Sequence, residues 1–456
     1  MHSIYVNDVI RLCNGKLLCG DKDLVLNNFS TDTRKINSGD VYVGIVGEKF
    51  DGNDFYEDAI KMGASCLILS KEPKDYKKDI TIIIVEDTLK CLQELAKYKR
   101  SLYDIPVIAI TGSSGKTSTK DIVYSVVSKK YKACKTQGNY NNHLGVPLTI
   151  LSLKDDDEAL VIELGMNHFG EISLLSNIAM PTMSIITNIG TSHIDNLGSM
   201  EGIRKAKLEI LEGMTGKNVI INGDDKMLIP VLDELKNNYD VKTVSIDNDG
   251  DYKGINLVED VFSSKFDIES KLNDIIVNVG GKVYVYNAIV AYVVGKLLNI
   301  NDSDIKEGIA DFKLSFHRLE KKMMSNGVIV IDDTYNANPE AVRASISILS
   351  RVKDRRRILI FGNMFGLGEY TEELHSELGK DVVDNNINIL VTIGDYAKLV
   401  GESAISLGMN KDNVINFKEE MECYQFLDEL IDSNDIILVK GSHAMNMVNI
   451  VNHLVK

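Results

Sequence analysis

The chain has 456 residues, room for about three domains of ordinary size. Its 44% hydrophobic and 26% charged residues are the balance of a globular protein, and they exclude a disordered chain. With 51 Lys and Arg against 66 Asp and Glu, the net charge of −15 argues against a general nucleic-acid binder. It leaves open an anionic small molecule held by local positive potential.

The N-terminus, Met1-His2-Ser3-Ile4-Tyr5-Val6-Asn7-Asp8, lacks the basic-then-apolar build of a signal peptide, and no apolar run approaches a bilayer span. The cysteines (Cys13, Cys19, Cys66, Cys91, Cys134 and Cys423) show neither C-x-x-C nor zinc-ligand spacing, which predicts reduced thiols. A cytoplasmic protein is expected.

Along the chain, the lysine-rich stretch Lys71–Asp79 reads as a surface loop near the end of a small first domain. Apolar, Val- and Ile-rich runs then alternate with helical patterns. Predicted strands are Val107–Thr111, Leu160–Leu164, Ser184–Asn188, Asn218–Asn222, Val328–Asp332, Ile358–Phe361, Ile389–Ile393 and Ile436–Val439. Helical spacing covers Thr117–Lys130 and Glu340–Ser350. Such alternation predicts an α/β fold with mostly parallel sheets and right-handed crossovers. The polar stretch Val241–Val279 reads as an antiparallel extension. A second boundary is expected near Lys313–His317, with strands resuming at Gly327.

The strongest chemical signal is Thr111-Gly112-Ser113-Ser114-Gly115-Lys116-Thr117-Ser118, where an apolar strand enters a small-residue turn and then a helix. Gly112 and Gly115 let backbone N–H groups approach phosphate oxygens, and the helix N-terminus adds positive potential. Lys116 would reach the outer phosphates and the Thr117 hydroxyl would ligate Mg²⁺. Ile110 stands six places before the lysine, where the usual loop has glycine. The bland alternative is a plain Gly-Ser turn, and phosphate binding alone leaves ATPases, kinases, GTPases and ligases open. The absence of Asn-Lys-x-Asp weighs against a GTPase.

Glu163 closes the next apolar strand, a position suited to Mg²⁺. His193 follows another strand in a loop, and Lys207 reads by spacing as a solvated helix lysine. Further on, Asp332-Asp333-Thr334-Tyr335-Asn336-Ala337-Asn338-Pro339 bunches polar groups at a strand's carboxyl end, either as a ligand crevice or as a turn with a helix cap at Asn338.

These motifs together resemble the Mur ligases, ATP-dependent amide-bond enzymes of peptidoglycan precursor synthesis. Ser30-Thr31-Asp32-Thr33-Arg34 and Asp51-Gly52-Asn53 are similar to the family's uridine-nucleotide segments. Thr136-Gln137-Gly138-Asn139-Tyr140-Asn141-Asn142 and Glu163-Leu164-Gly165-Met166-Asn167 resemble the branch that adds D-alanyl-D-alanine to UDP-N-acetylmuramoyl-tripeptide. The resemblance implies three domains: a small N-terminal α/β domain over residues 1–84 that binds the uridine nucleotide, a central P-loop-type ATPase domain over 85–314, and a C-terminal Rossmann-like domain over 315–456.

It further implies ATP contacts from Gly112 to Ser118 and from Asn287, Arg318 and Asp333. Thr117, Glu163, His193 and a carbamylated Lys207 would be the metal ligands. Ser30, Thr33, Arg34, Asp51, Asn53, Thr136, Asn139, Asn141, Asn142, Asn336 and Asn338 would be the substrate contacts, in a monomeric enzyme. The chain departs from the family pattern at several places. Val283-Tyr284 replaces His-Asn, Asn363 replaces Asp, Gly366 replaces Glu, and His443 replaces Arg. These departures fall largely on the amine side. They leave open a different amine acceptor, or a nucleotide-binding partner protein with weak catalysis.

Overall fold

A computed structural model describes residues 2–76 and 79–456; within the predicted Lys71–Asp79 loop, Lys77 and Lys78 lie outside the described residues. The chain divides into two compact units that exchange segments. One comprises residues 1–111, 131–185 and 208–218, and the other 112–130, 186–207 and 219–456.

In the first unit, a five-stranded sheet has the order Lys16–Cys19, Thr81–Ile84, Cys66–Leu69, Val41–Val43, Phe29–Ser30. All neighbours are parallel except the first pair. Its interior strands Val41–Val43 and Cys66–Leu69 are buried throughout, as parallel strands covered on both faces require. A second group places Ala159–Glu163 between Val107–Thr111 and Ala133–Lys135, all parallel. The register sets Glu163 beside Ile110, so the carboxylate ends its strand level with the strand that feeds the glycine turn.

The second unit contains the helix Lys116–Val127 and the extension predicted from the polar stretch. In that extension Tyr252–Glu259, Ser264–Ile268 and Leu272–Val277 are antiparallel, as expected. Asp240–Ser245, however, pairs in parallel with Tyr252–Glu259. The unit's six-stranded sheet has the order Glu320–Met323, Ile329–Asp333, Asp435–Lys440, Arg356–Gly362, Ile389–Ile393, Val414–Phe417. Only the first pair is antiparallel. Strands therefore resume at Glu320 rather than Gly327. That edge strand reads Glu-Lys-Lys-Met and is half exposed, so it lacks the apolar run that marks the interior strands.

The last strand of the chain inserts beside Ile329–Asp333, so Asp333 pairs with Lys440 at neighbouring carboxyl ends. Apolar clusters cover both faces of this sheet: Leu359, Phe361, Leu390 and Leu438 on one side, Ile358, Ile360, Val391 and Val439 on the other. The polar residues left at the strand ends are the material for a site.

The six cysteines are free thiols, as expected. Among the described residues no helix is long and apolar enough to cross a membrane.

One buried histidine anchors a strand-end loop. His375, on the helix Thr371–Asp384, accepts the Met364 N–H at Nε2 (3.0 Å) and donates from Nδ1 to the Thr371 carbonyl (2.6 Å). Burial holds its pKa below the ordinary value, against a smaller opposite effect of the Thr371 carbonyl. The native state therefore binds this proton less readily than the unfolded chain. The stability it contributes is present above about pH 6.5 and is lost as pH falls through the lower native value. Urea midpoints measured between about pH 7 and 5 should fall more steeply for the parent protein than for His375→Gln.

Candidate functional site

The glycine turn is built around its neighbour segment. Gly112 has φ +148° and Gly115 φ +77°, both in the region that favours glycine. A Cβ on Gly112 would lie 1.9 Å from Thr187 Oγ1, so only a bare backbone fits there. Residues 187–192 then bind the turn almost atom by atom. Thr187 Oγ1 donates to the Ser114 carbonyl (2.6 Å), and the Ser114 N–H donates to Asn188 Oδ1 (2.9 Å). Asn188 Nδ2 donates to Ser114 Oγ (2.6 Å), and the Ser113 N–H to the Asn188 carbonyl (3.0 Å). Ser113 Oγ accepts from the Gly190 N–H (2.8 Å) and donates to its carbonyl (3.1 Å). The strand predicted over Ser184–Asn188 accordingly stops at Ile186. Thr187 and Asn188 leave the ladder to serve the turn.

Lys116 opens the helix and donates to the Gly112 carbonyl (2.8 Å), folding its ammonium over the turn. Ser118 is buried on the same helix. The Thr117 hydroxyl accepts from Arg318 (3.0 Å), whose guanidinium lies 4.2 Å over the Tyr335 ring.

The helix Lys282–Leu297 packs beside this turn. Val283 faces Gly115, and Tyr284 shares a hydrogen bond with Ser118, while burial pushes its phenol well above the usual range. Asn287 Oδ1 accepts from Thr119 Oγ1 (2.9 Å), but its Nδ2 is buried without a partner. An unsatisfied amide donor costs about 1–3 kcal/mol, which a purine acceptor would offset. The bare backbone at Gly112 and this orphan donor fit a nucleotide.

In the first unit, Glu163 is buried and braced. Its Oε1 accepts from Asn141 Nδ2 (2.7 Å), and its N–H donates to Thr136 Oγ1 (3.0 Å). Asn142 Oδ1 accepts the Gly145 N–H (2.9 Å) where the helix Gly145–Leu151 begins, and Asn139 is exposed. Nearer the N-terminus, Ser30, Thr33 and Arg34 form one surface turn, in which Asp32 accepts from Arg34 Nε (2.9 Å). That pairing holds the Asp32 carboxyl below its ordinary range. Asp51 is pushed down to about 2 by its bonds to Lys71 and then Asn53. Asn53 is buried and fully engaged, donating to Asp51 and Ser70 and accepting the Ser70 N–H (2.8 Å).

Lys207 contradicts its solvated reading, because only 1% of it is exposed on the helix Met200–Leu208. Helical spacing alone does not mark which face is covered. His193 is half-buried with φ +64° at the start of the short helix Ile194–Leu197.

At the sheet's carboxyl edge, buried Lys440 donates to Asp333 Oδ2 (2.5 Å) and to the Asn336 carbonyl (3.1 Å), and Ser345 Oγ also donates to Asp333 (2.7 Å). Asn338 takes the helix-cap reading of its sequence. Its Oδ1 caps the helix Pro339–Leu349 through the Ala341 N–H (2.8 Å), while its Nδ2 donates to Ser192 Oγ (2.8 Å). Asn363, at a departure from the family pattern, accepts the Tyr396 and Ala397 N–H groups (3.1 and 2.8 Å) at the start of a helix. His443 meets the Tyr335 ring edge-on at 6.1 Å. Sequence reasoning read Thr187 and Asn188 as strand; the signal available was two polar residues directly after the apolar pair Ile185–Ile186.

Three family models match in order: "Mur ligase family, catalytic domain" over residues 26–100, "Mur ligase middle domain" over 110–295, and "Mur ligase, glutamate ligase domain" over 317–443. The Bacillus subtilis UDP-N-acetylmuramoyl-tripeptide–D-alanyl-D-alanine ligase is 34% identical over 95% of this chain and 94% of its own. The chain belongs to the Mur ligase family. Among solved structures, MurF from Acinetobacter baumannii superposes with a TM-score of 0.90 at 27% identity, covering 99% of each chain. MurF ligase from Thermotoga maritima in complex with ADP gives 0.81 at 26%, covering 94% of this chain and 97% of its own. This Mur ligase thus has the family's α/β architecture from end to end.

Replacing Gly112 by Ala should destabilise the protein by about 1–3 kcal/mol, because Thr187 cannot yield without breaking its bond to Ser114. Chemical denaturation of the two proteins measures it.

Proposed function

We propose that this Mur ligase joins D-alanyl-D-alanine to UDP-N-acetylmuramoyl-tripeptide at the expense of ATP. The observation that carries the reading is the end-to-end match to ligases of that name, with a phosphate loop, an orphan Asn287 donor and a polar strand end on the same scaffold.

In this reading residues 1–84 hold the uridine nucleotide, with Ser30, Thr33, Arg34, Asp51 and Asn53 forming its surface. Asn53 acts by fixing Ser70 and Asp51. Residues 85–314 hold ATP, and residues 315–456 bring the amine. The turn from Gly112 to Ser118 meets the phosphates with its backbone from Gly115 onward, since Asn188 takes the Ser113 and Ser114 N–H groups; Asn287 Nδ2 donates to adenine, and Arg318 and Asp333 approach the nucleotide from the last third. Lys116 leaves the Gly112 carbonyl for the γ-phosphate.

Mg²⁺ would be held by Thr117, Glu163, His193 and Lys207, and supplies charge screening between two anions. A buried lysine suits this set once carbamylated, since the carbamate carries the anionic oxygen that an ammonium lacks. Thr136 and Asn141 keep Glu163 aimed, and Asn139 and Asn142 shape the loop around the tripeptide.

The tripeptide carboxylate oxygen attacks the γ-phosphorus, the bond to ADP breaks, and an acyl phosphate forms. The dipeptide amine attacks the acyl carbon, the carbon–oxygen bond to phosphate breaks, and the nitrogen loses its proton. Lys116 and the backbone N–H groups stabilise the charge on the transferring phosphoryl group. Asn336 and Asn338 stand beside the incoming amine. Water exclusion protects the acyl phosphate from hydrolysis. The enzyme works in the cytoplasm as a monomer.

With UDP-N-acetylmuramoyl-tripeptide, ATP and a panel of amines, product mass should report D-alanyl-D-alanine addition with one phosphate released per turnover. Product with a single amino acid but not the dipeptide would overturn the assigned acceptor, and no product with any amine would overturn the ligase reading. Lys116→Ala should lower kcat/KM by about 100-fold or more.

A further inference from the structure

The segment that holds the phosphate loop is itself held by two carboxylates from distant parts of the chain. Asp225 Oδ2 accepts the Ile189 N–H (2.7 Å), while its Oδ1 accepts the Met227 and Leu228 N–H groups (2.8 and 3.1 Å). Glu340 Oε1 accepts both the Thr191 N–H (2.9 Å) and the Thr191 hydroxyl (3.1 Å). Its carboxylate packs so closely on Gly190 that a Cβ there would lie 2.7 Å from it. Glu340 Oε2 is buried with no hydrogen-bond partner, a cost that a helix's first-turn glutamate would avoid by turning to solvent.

The two contacts alternate with those to the loop. Asn188 and Gly190 face Ser113 and Ser114, while Ile189 and Thr191 face the carboxylates. This pattern clamps the segment between the loop and the two acids. Neither acid belongs to the phosphate-loop motif.

We propose that Asp225 and Glu340 are positioning residues that set the phosphate loop through residues 187–192, and so tune nucleotide affinity without touching the nucleotide. Glu340 lies two residues beyond Asn338, so the strand end assigned to the amine and the loop assigned to ATP share one support. The inference rests on the nucleotide reading above.

Three variants test it. Asp225→Asn keeps an oxygen for Met227 and Leu228 but turns an NH₂ group toward the Ile189 N–H. Glu340→Ala removes the Thr191 contact, and Glu340→Gln retains an acceptor for it. Binding of fluorescent mant-ADP, the KM for ATP and for UDP-N-acetylmuramoyl-tripeptide, and Tm are measured for each. Asp225→Asn and Glu340→Ala should weaken mant-ADP binding and raise the KM for ATP roughly tenfold. The KM for the tripeptide substrate should stay within about twofold in both, and Glu340→Gln should bind mant-ADP like the parent. Equal mant-ADP affinity in all variants would overturn the proposal. So would equal losses in Glu340→Gln and Glu340→Ala, or a rise in both KM values in step with a lower Tm. A parent protein that fails to bind mant-ADP removes the nucleotide reading, and this inference falls with it.

Discussion

The fit of a bare-backbone turn against residues 187–192 is the constraint on which the rest depends. Phosphate recognition by backbone N–H groups needs a loop whose amides keep one orientation, and glycine-rich chain has no such preference of its own. Here the orientation is imposed from outside. Thr187, Asn188 and Gly190 satisfy the polar groups of Ser113 and Ser114, which fixes the path of the chain into Gly115 and the start of the helix. Gly112 is required because the support comes too close for any side chain.

Around that contact, buried charge is handled by pairing. Asp333 sits with Lys440 and Ser345, and Asp332 with Lys322 (2.8 Å), His317 (2.8 Å) and Thr334. Each pair lies where strands end, so the sheet's apolar layers are undisturbed while its edge carries oriented polar groups. Breaking one partner of such a pair would strand the other in a low-dielectric site. His317 and Glu320 gather near the buried Asp332, whose charge Lys322 already neutralises.

Much of this was legible in the residues. Interior strands such as Val107–Thr111 and Ile389–Ile393 are buried at every position and apolar but for Thr111 and Thr392, and their ends were readable to the residue. The phosphate loop showed itself by composition despite Ile110. What stayed hidden depends on the third dimension. Lys207 looks solvated because a helix's covered face is set by what packs on it. Asp225 and Glu340 carry no local sequence signal because their partners are backbone amides 36 and 149 residues away. Asn363 suggested a lost charge at the amine, yet its oxygen serves as a helix cap.

The net charge of −15 is therefore no guide to the site, where Lys116, Arg318, Lys440 and backbone amides converge on one strand edge and one loop. An enzyme that activates a carboxylate by phosphorylation passes one carboxylate oxygen to the phosphate it releases. Supplying tripeptide substrate labelled with oxygen-18 in its terminal carboxylate, with ATP and D-alanyl-D-alanine, tests it directly. Mass spectrometry of the released phosphate should find one labelled oxygen per molecule. Unlabelled phosphate alongside amide product would contradict the acyl-phosphate route and the role given to the loop.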